Sequence, residues 1–244
     1  MDQADRGVRA LILKDAAGIV TGASRGLGLK LYNRLLEEGC KLLPNQANLC
    51  RRDLSISRNA YLYVVEALRQ FKKIDFLINN AGYAHLRNPI ELIEESDVEQ
   101  TFRSNVFATI NMMKHVIPIM KSQKSGVIIN IASNCAIKGR AVPGLAPYCA
   151  SKAAILQLTE AVAKELQNTN IKVISVSPGG MNTDMRRKIY GEEDAKRQMD
   201  PADVAEYIVN IMKNIEYVPN GHNFIITKDF RETISCGDRA IYNR

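Results

Sequence analysis

Ala17-Gly18-Ile19-Val20-Thr21-Gly22-Ala23-Ser24-Arg25-Gly26-Leu27-Gly28 runs from a short apolar stretch through a glycine-rich turn into a helical pattern. Ala17 to Val20 predicts a short buried strand. Leu27, Leu31 and Leu35 recur at helical spacing, so a helix is expected from Leu27 to Glu38, with Gly39 as its stop. Strand, glycine turn, helix is the context a phosphate-binding loop requires. Gly22, Gly26 and Gly28 let the backbone turn tightly and approach a pyrophosphate, which the helix N-terminus then holds.

The same alternation continues downstream. A second strand is expected at Lys41-Leu42-Leu43 and a third at Leu49 to Arg52. Ser57 to Phe71 reads as a helix, Ile74 to Ile78 as a strand, and Asn79-Asn80-Ala81-Gly82 as the turn at its carboxyl end. A long helix is expected over Asp97 to Lys121, bearing Asn105, then an apolar strand from Val127 to Ala132 ending at Ser133. A Gly- and Pro-rich loop leads to a helix from Tyr148 to Gln167. Lys172 to Ser177 is a strand closed by Pro178-Gly179-Gly180, Pro201 opens a helix to Lys213, and His222 to Ile226 is a last strand. Residues 1–16 remain an unplaced leader, with Leu11-Ile12-Leu13 as a short strand or an irregular lead-in. Residues 184–199 are a charged candidate lid, and the tail beyond Lys228 has no pattern. Strands alternating with helices predict an α/β fold, a doubly wound parallel sheet with helices on both faces.

At 244 residues and 27.2 kDa, with 46% hydrophobic residues, the chain suits one large domain. No apolar run approaches the ~20 residues of a membrane span, and Met1 to Arg9 is polar rather than signal-like. The five cysteines, Cys40, Cys50, Cys135, Cys149 and Cys236, are scattered without a C-x-x-C pair. They read as free thiols of a reducing, cytoplasmic setting, and no metal site is expected. Cys149 has no histidine near it in sequence and reads as packing rather than as a nucleophile. The net charge of +7 is spread among acids, as in Glu192 to Arg197, which argues for a solvated surface and against nucleic-acid binding.

The reactive candidates lie in Pro147-Tyr148-Cys149-Ala150-Ser151-Lys152. Tyr148 and Lys152, four apart, share one helix face. A phenol of ordinary pKa ~10 serves as acid or base near neutrality when a neighbouring cation stabilises its phenolate. Lys152 supplies that cation, with donors left for a sugar hydroxyl. By itself Tyr-x-x-x-Lys is a chance-level motif; its weight comes from the glycine turn upstream.

Taken together, Thr21 to Gly28, Asn79 to Gly82, Asn105, Ser133, Tyr148, Lys152 and Pro178-Gly179 resemble the short-chain dehydrogenase/reductase family in order and spacing, over about residues 14 to 228. Ketoreductases of the acyl-carrier-protein reductase kind are the nearest type. The resemblance implies a Rossmann-type fold and an NAD(P)(H)-dependent oxidoreductase that moves hydride between nicotinamide and a carbonyl or secondary alcohol. It implies that Tyr148 exchanges the hydroxyl proton, Lys152 lowers the Tyr148 pKa and holds the nicotinamide ribose, Ser133 binds the carbonyl oxygen, and Asn105 holds a proton-relay water. It further implies cofactor contacts from Gly22, Ser24, Arg25, Gly26, Leu27, Gly28, Asp53, Leu54, Asn80, Ala81, Gly82, Pro178, Gly179 and Thr183. Family members are commonly homodimers or homotetramers built on the two long helices.

Arg25 stands where the family meets the adenosine 2′-phosphate of NADP, and no Asp or Glu occurs between Glu38 and Asp53, position 48 being Asn. NADP is therefore expected over NAD, with Arg51 and Arg52 as further basic neighbours. The chain departs from the family between strands two and three. Pro44 to Asn48 is too short for a helical crossover, which takes at least ~10–12 residues. The spacing from Ser133 to Tyr148 is also generous. The alternative is a Rossmann-fold binding or scaffold protein that has lost turnover through the shortened segment. Arg186, Arg187 and Lys188 read either as attracting an anionic substrate or as a solvated helix end.

Overall fold

The first strand, β1 (Ala17–Val20), is followed by α1 (Gly26–Glu37), β2 (Lys41–Leu42), α2 (Ser57–Phe71) and β3 (Phe76–Asn79) in a computed structural model that describes residues 10–44 and 52–228 and the backbone of 235–236 and 239–240. Then come α3 (Glu95–Phe102), α4 (Ala108–Gln123), β4 (Gly126–Ile131), α5 (Ala146–Glu165) and β5 (Ile171–Pro178). The chain continues through α6 (Asp184–Tyr190), α7 (Glu192–Lys196), α8 (Pro201–Lys213) and β6 (Asn223–Ile226), and a separate antiparallel pair joins β7 (Ser235–Cys236) to β8 (Arg239–Ala240).

Strands β1 to β6 form one parallel sheet in the order β2-β1-β3-β4-β5-β6. Both faces are covered, which is why β1, β3 and β4 are buried at every position and are mostly apolar, the buried Asn79 and Asn130 being hydrogen-bonded to each other at 2.8 Å. Side chains alternate across the sheet. Phe76, Ile78, Val127 and Ile129 join Leu27, Leu31 and Leu35 of α1 and Val204, Ile208 and Met212 of α8 on one side. Leu77 and Ile128 join Val64 of α2, Met112 and Val116 of α4 and Val162 of α5 on the other. Gly18 is required by packing, since a Cβ there would lie 2.1 Å from the Phe76 ring.

The chain leaves β1 toward β2 on one side and returns to β3 on the other. This reversal opens a crevice at the carboxyl ends of β1 and β3, where ligands of open α/β sheets bind. The expected third strand, Leu49 to Arg52, lies outside the described residues except for Arg52, which sits in a bend; the leader before residue 10 also lies outside them. Among the described residues β2 is a sheet edge, and α2 makes the crossover from β2 to β3.

One open alternative is decided and one expectation is corrected. Leu11 to Leu13 is the irregular lead-in rather than a strand, with Ile12 76% exposed and Leu13 buried. The long helix is not one α-helix, because Arg103–Phe107 forms a π-helical turn between α3 and α4. An extra residue in the helical ladder is the device that places Asn105, and hydrophobic periodicity does not register it.

Candidate active site

The crevice is built from the glycine loop. Gly22 and Gly26 have φ of +65° and +55°, backbone that only glycine adopts cheaply. A Cβ on Gly28 would lie 2.2 Å from the Gly22 oxygen, so the loop and α1 close on each other only without side chains. Asn80 fastens this loop to the turn after β3, its Nδ2 donating to the oxygens of Thr21 at 2.9 Å and Gly22 at 3.2 Å. Thr21 Oγ1 answers by accepting from the amides of Asn80 and Ala81, both at 3.0 Å. Thr21 was not singled out in the sequence; a threonine at a strand end has no distinguishing pattern.

Arg25 is the N-cap of α1, makes no side-chain cap, and no acid stands in the first turn. The first-turn amides therefore face the crevice with the positive end of the helix dipole, as a pyrophosphate requires. The cleft encloses about 530 Å3, and every cofactor position expected from the sequence lines it, from Gly22 to Gly28, through Asp53, Leu54 and Asn80 to Gly82, to Pro178, Gly179 and Thr183. Ser24 and Leu27 are among them, Arg52 lines the cleft as a basic neighbour, and Gln100 and Ser104 join the wall unforeseen. These features fit a dinucleotide.

The segment after β2 is anchored despite its brevity. Asn111 of α4 donates to the oxygens of Leu54 at 3.0 Å and Ser55 at 2.8 Å, and Arg103 pairs with Asp53 at 3.2 Å. Burial acts to raise the Asp53 carboxyl, but the hydrogen bonds from Ser55 and the Arg103 charge outweigh it and hold the group below its ordinary value.

At the inner end, Ser133 follows β4 and Tyr148 stands in the first turn of α5, and both line the cleft. Burial first, and then the nearby Cys135 thiol, hold the Tyr148 phenol above its ordinary value, while the Ser133 hydroxyl acts the other way. Lys152 is 5% exposed. Its Nζ donates to the Ile131 oxygen at 2.8 Å and lies 5.9 Å from the Tyr148 ring centre. Burial brings its pKa from 10.5 to about 8. The expected lowering of the phenol by Lys152 is thus outweighed, because desolvation acts on both groups more strongly than their mutual contact.

Asn105 does not line the cleft. It is 1% exposed and works from behind. Its Oδ1 accepts from the Tyr83 amide at 2.7 Å, and its Nδ2 donates to the Tyr83 oxygen at 3.0 Å and to Ser151 Oγ at 2.8 Å. Ser151 Oγ in turn donates to the backbone carbonyl oxygen of Tyr148 at 2.7 Å. The π-turn, the loop after β3 and the catalytic helix are thereby locked together. Gly82 permits this approach, since a Cβ there would stand 3.0 Å from Asn105 Oδ1. Ser151 was missed in the sequence; its only signal is a small polar residue three positions after Tyr148 on a face that turns out to be buried. Cys135 and Cys149 are buried in a small cluster with Leu145, and burial pushes the Cys135 thiol up to about 12, which suits packing rather than nucleophilic chemistry.

A second cavity, of about 200 Å3, opens on the other side of Ser133 and Tyr148. A crevice for a dinucleotide, a second pocket and a hydroxyl pair between them define an oxidoreductase site. The sequence pattern of the short chain dehydrogenases matches residues 17–194. The chain is 30% identical over 202 residues to an NADPH-dependent pterin aldehyde reductase of Arabidopsis thaliana, covering 75% of this chain and 82% of that protein. It is 31% identical over 208 residues to a 3-oxoacyl-(acyl-carrier-protein) reductase of Staphylococcus epidermidis, covering 75% and 81%. The crystal structure of a 3-ketoacyl-(acyl-carrier-protein) reductase from Brucella melitensis complexed with NADH superposes with a TM-score of 0.80 at 27% identity, over 88% of this chain and 97% of that one. The chain belongs to the short-chain dehydrogenase family and is an NAD(P)-dependent oxidoreductase acting on a carbonyl or alcohol group.

Proposed function

We propose that the protein reduces a small carbonyl substrate with NADPH, with Tyr148 as the general acid. The observation that carries this reading is the placing of Ser133 and Tyr148 together in the wall shared by the 530 Å3 cleft and the 200 Å3 pocket. A carbonyl oxygen seated there accepts from Ser133 while the Tyr148 phenol delivers its proton to the developing alkoxide. When bound, the nicotinamide supplies the hydride. Burial holds the phenol above its ordinary value, so it is protonated at neutral pH, as a proton donor must be. Lys152 holds the ribose, and Asn105 and Ser151 act as positioning residues for the helix that carries Tyr148.

NADP is favoured over NAD because Arg25 and Arg52 both line the cleft, and Asp53, one of two acids there, is taken up by Arg103. The Arabidopsis relative is named for NADPH, which agrees, and the Brucella neighbour holds NADH. Exposed Phe107 and Ile110 beside the π-turn support a homodimer or homotetramer built on α4 and α5. Free thiols at Cys40, Cys135 and Cys149 suit the cytoplasm, and no described helix is long and apolar enough to cross a membrane. The test is NADPH and NADH binding by fluorescence followed by turnover of a carbonyl panel. Tyr148→Phe should keep NADPH affinity within a few-fold and lower kcat at least ~100-fold. Tight NADPH binding with equal, residual turnover in both proteins would point to the scaffold alternative.

A further inference from the structure

We infer that the substrate carries an anionic group, a carboxylate or phosphate, and that Arg140 receives it. The inference rests on the oxidoreductase reading above and names the substrate class of the same site. Near the reacting hydroxyls the 200 Å3 pocket is walled by Val142, Leu145, Met181, Met185 and Ile189. Its charged residues among those described are Arg140 and Arg186, and no carboxylate residue lines it.

The two arginines are not equivalent. Arg186 stacks on Tyr190 with its guanidinium 3.6 Å from the ring centre and is paired with Asp194 at 2.5 Å. Arg187, the other arginine of the lid, is engaged by Asp184 at 2.9 Å and Glu192 at 3.1 Å. Two of the three charges expected to attract an anion there, Arg186 and Arg187, are therefore compensated by nearby acids. Arg140 instead donates Nη1 to the neutral Oδ1 of Asn134 at 2.7 Å and has no acidic partner among the described residues.

Asn134 directly follows Ser133, so the group that orients this guanidinium sits on the same turn as the hydroxyl that meets the carbonyl. A planar fork fixed at one corner by a neutral acceptor keeps its remaining donors for a carboxylate or phosphate. Arg87 adds to the field: its guanidinium lies over the Tyr190 ring, 5.2 Å from the ring centre, and its donors go to the Pro143 oxygen, at 3.2 and 3.1 Å. Three guanidinium groups against Asp194 leave the mouth of an apolar pocket net positive, the arrangement that concentrates and orients a small anion. The volume is below the ~300–1,000 Å3 of typical drug-sized sites, so the acid it takes is a small one. Arg140 stands on the lengthened loop between Ser133 and Tyr148, and the extra residues acquire a purpose in carrying it.

The test uses the full chain with NADPH and matched carbonyl pairs: 4-formylbenzoate against its methyl ester, 4-oxopentanoate against its methyl ester, and 4-formylphenyl phosphate against 4-methoxybenzaldehyde. The anionic member should have the higher kcat/KM by about tenfold or more, the value of one charge-assisted hydrogen bond. The carboxylate and phosphate arms tell which head group is preferred. Arg140→Gln should lower the anion-to-neutral ratio at least tenfold, and Arg140→Lys should retain part of it. Neutral members turned over as well as or better than the anions by the unsubstituted protein, or a ratio unmoved in Arg140→Gln, would overturn the inference while leaving the oxidoreductase reading intact. Absence of turnover for every carbonyl, neutral aldehydes included, with either cofactor would overturn the oxidoreductase reading itself.

Discussion

Replacing Lys152 by methionine tests the electrostatics of the site without any substrate. The ammonium is 5% exposed, and burial lowers its pKa from 10.5 to about 8. In the folded protein the proton leaves near pH 8; in the unfolded chain it stays until near 10.5. Below pH 8 both states are charged, and the cost of burying the charge is fully present. Between the two values the unfolded state binds more protons, so folding stability rises with pH. The slope approaches 1.36 kcal/mol per pH unit, so from pH 8 to pH 10 the unsubstituted protein should gain about 2–3 kcal/mol on Lys152→Met. Methionine has similar length and does not titrate. The bond lost at the Ile131 oxygen costs about 1–3 kcal/mol but adds only a pH-independent offset. Urea-unfolding midpoints of both proteins, without cofactor, from pH 7 to 10 give the difference directly. Parallel curves, or a gap that moves in favour of the variant as pH rises, would refute the assignment of a desolvated, charged Lys152.

Other consequences follow from contacts. Gly28→Ala places a methyl 2.2 Å from the Gly22 oxygen and 2.3 Å from Asn80 Nδ2; it should raise the Kd for NADPH at least ~10-fold, and unchanged titration curves would contradict the loop geometry. Ser151→Ala leaves the buried Asn105 amide short of an acceptor, which costs about 1–3 kcal/mol of stability. Because Ser151 acts through Tyr148, it should also lower kcat about tenfold while the KM for NADPH moves less, and shift the pH profile of kcat; a loss of stability with kcat and its profile intact would reduce Ser151 to a packing role. Gly18→Ala sets a methyl 2.1 Å from the Phe76 ring and should destabilise by about 1–3 kcal/mol in urea, with Phe76→Leu in the same chain recovering part of it.

The order of strands and helices was legible because each element carries its own pattern: β3 and β4 as short, mainly apolar runs, α1 as leucines four apart. The phosphate loop and the Tyr148–Lys152 face were legible for the same reason, since local spacing alone determines their geometry. Tertiary structure decided the rest. The π-turn at Asn105 depends on hydrogen bonds to Tyr83 and Ser151, 22 and 46 residues away, which no window of sequence contains. The sign of the electrostatics at Tyr148 was likewise beyond reach, because Lys152 seemed from spacing to govern it, whereas burial by β4, the turn after it and the lid helices dominates. The same holds for the arginines. Arg186 and Arg187 meet carboxylates of their own segment, but only the folded chain set Arg140, held by the neutral Asn134, in the wall of the same pocket as Arg186, because which charges share a cavity depends on how distant segments pack.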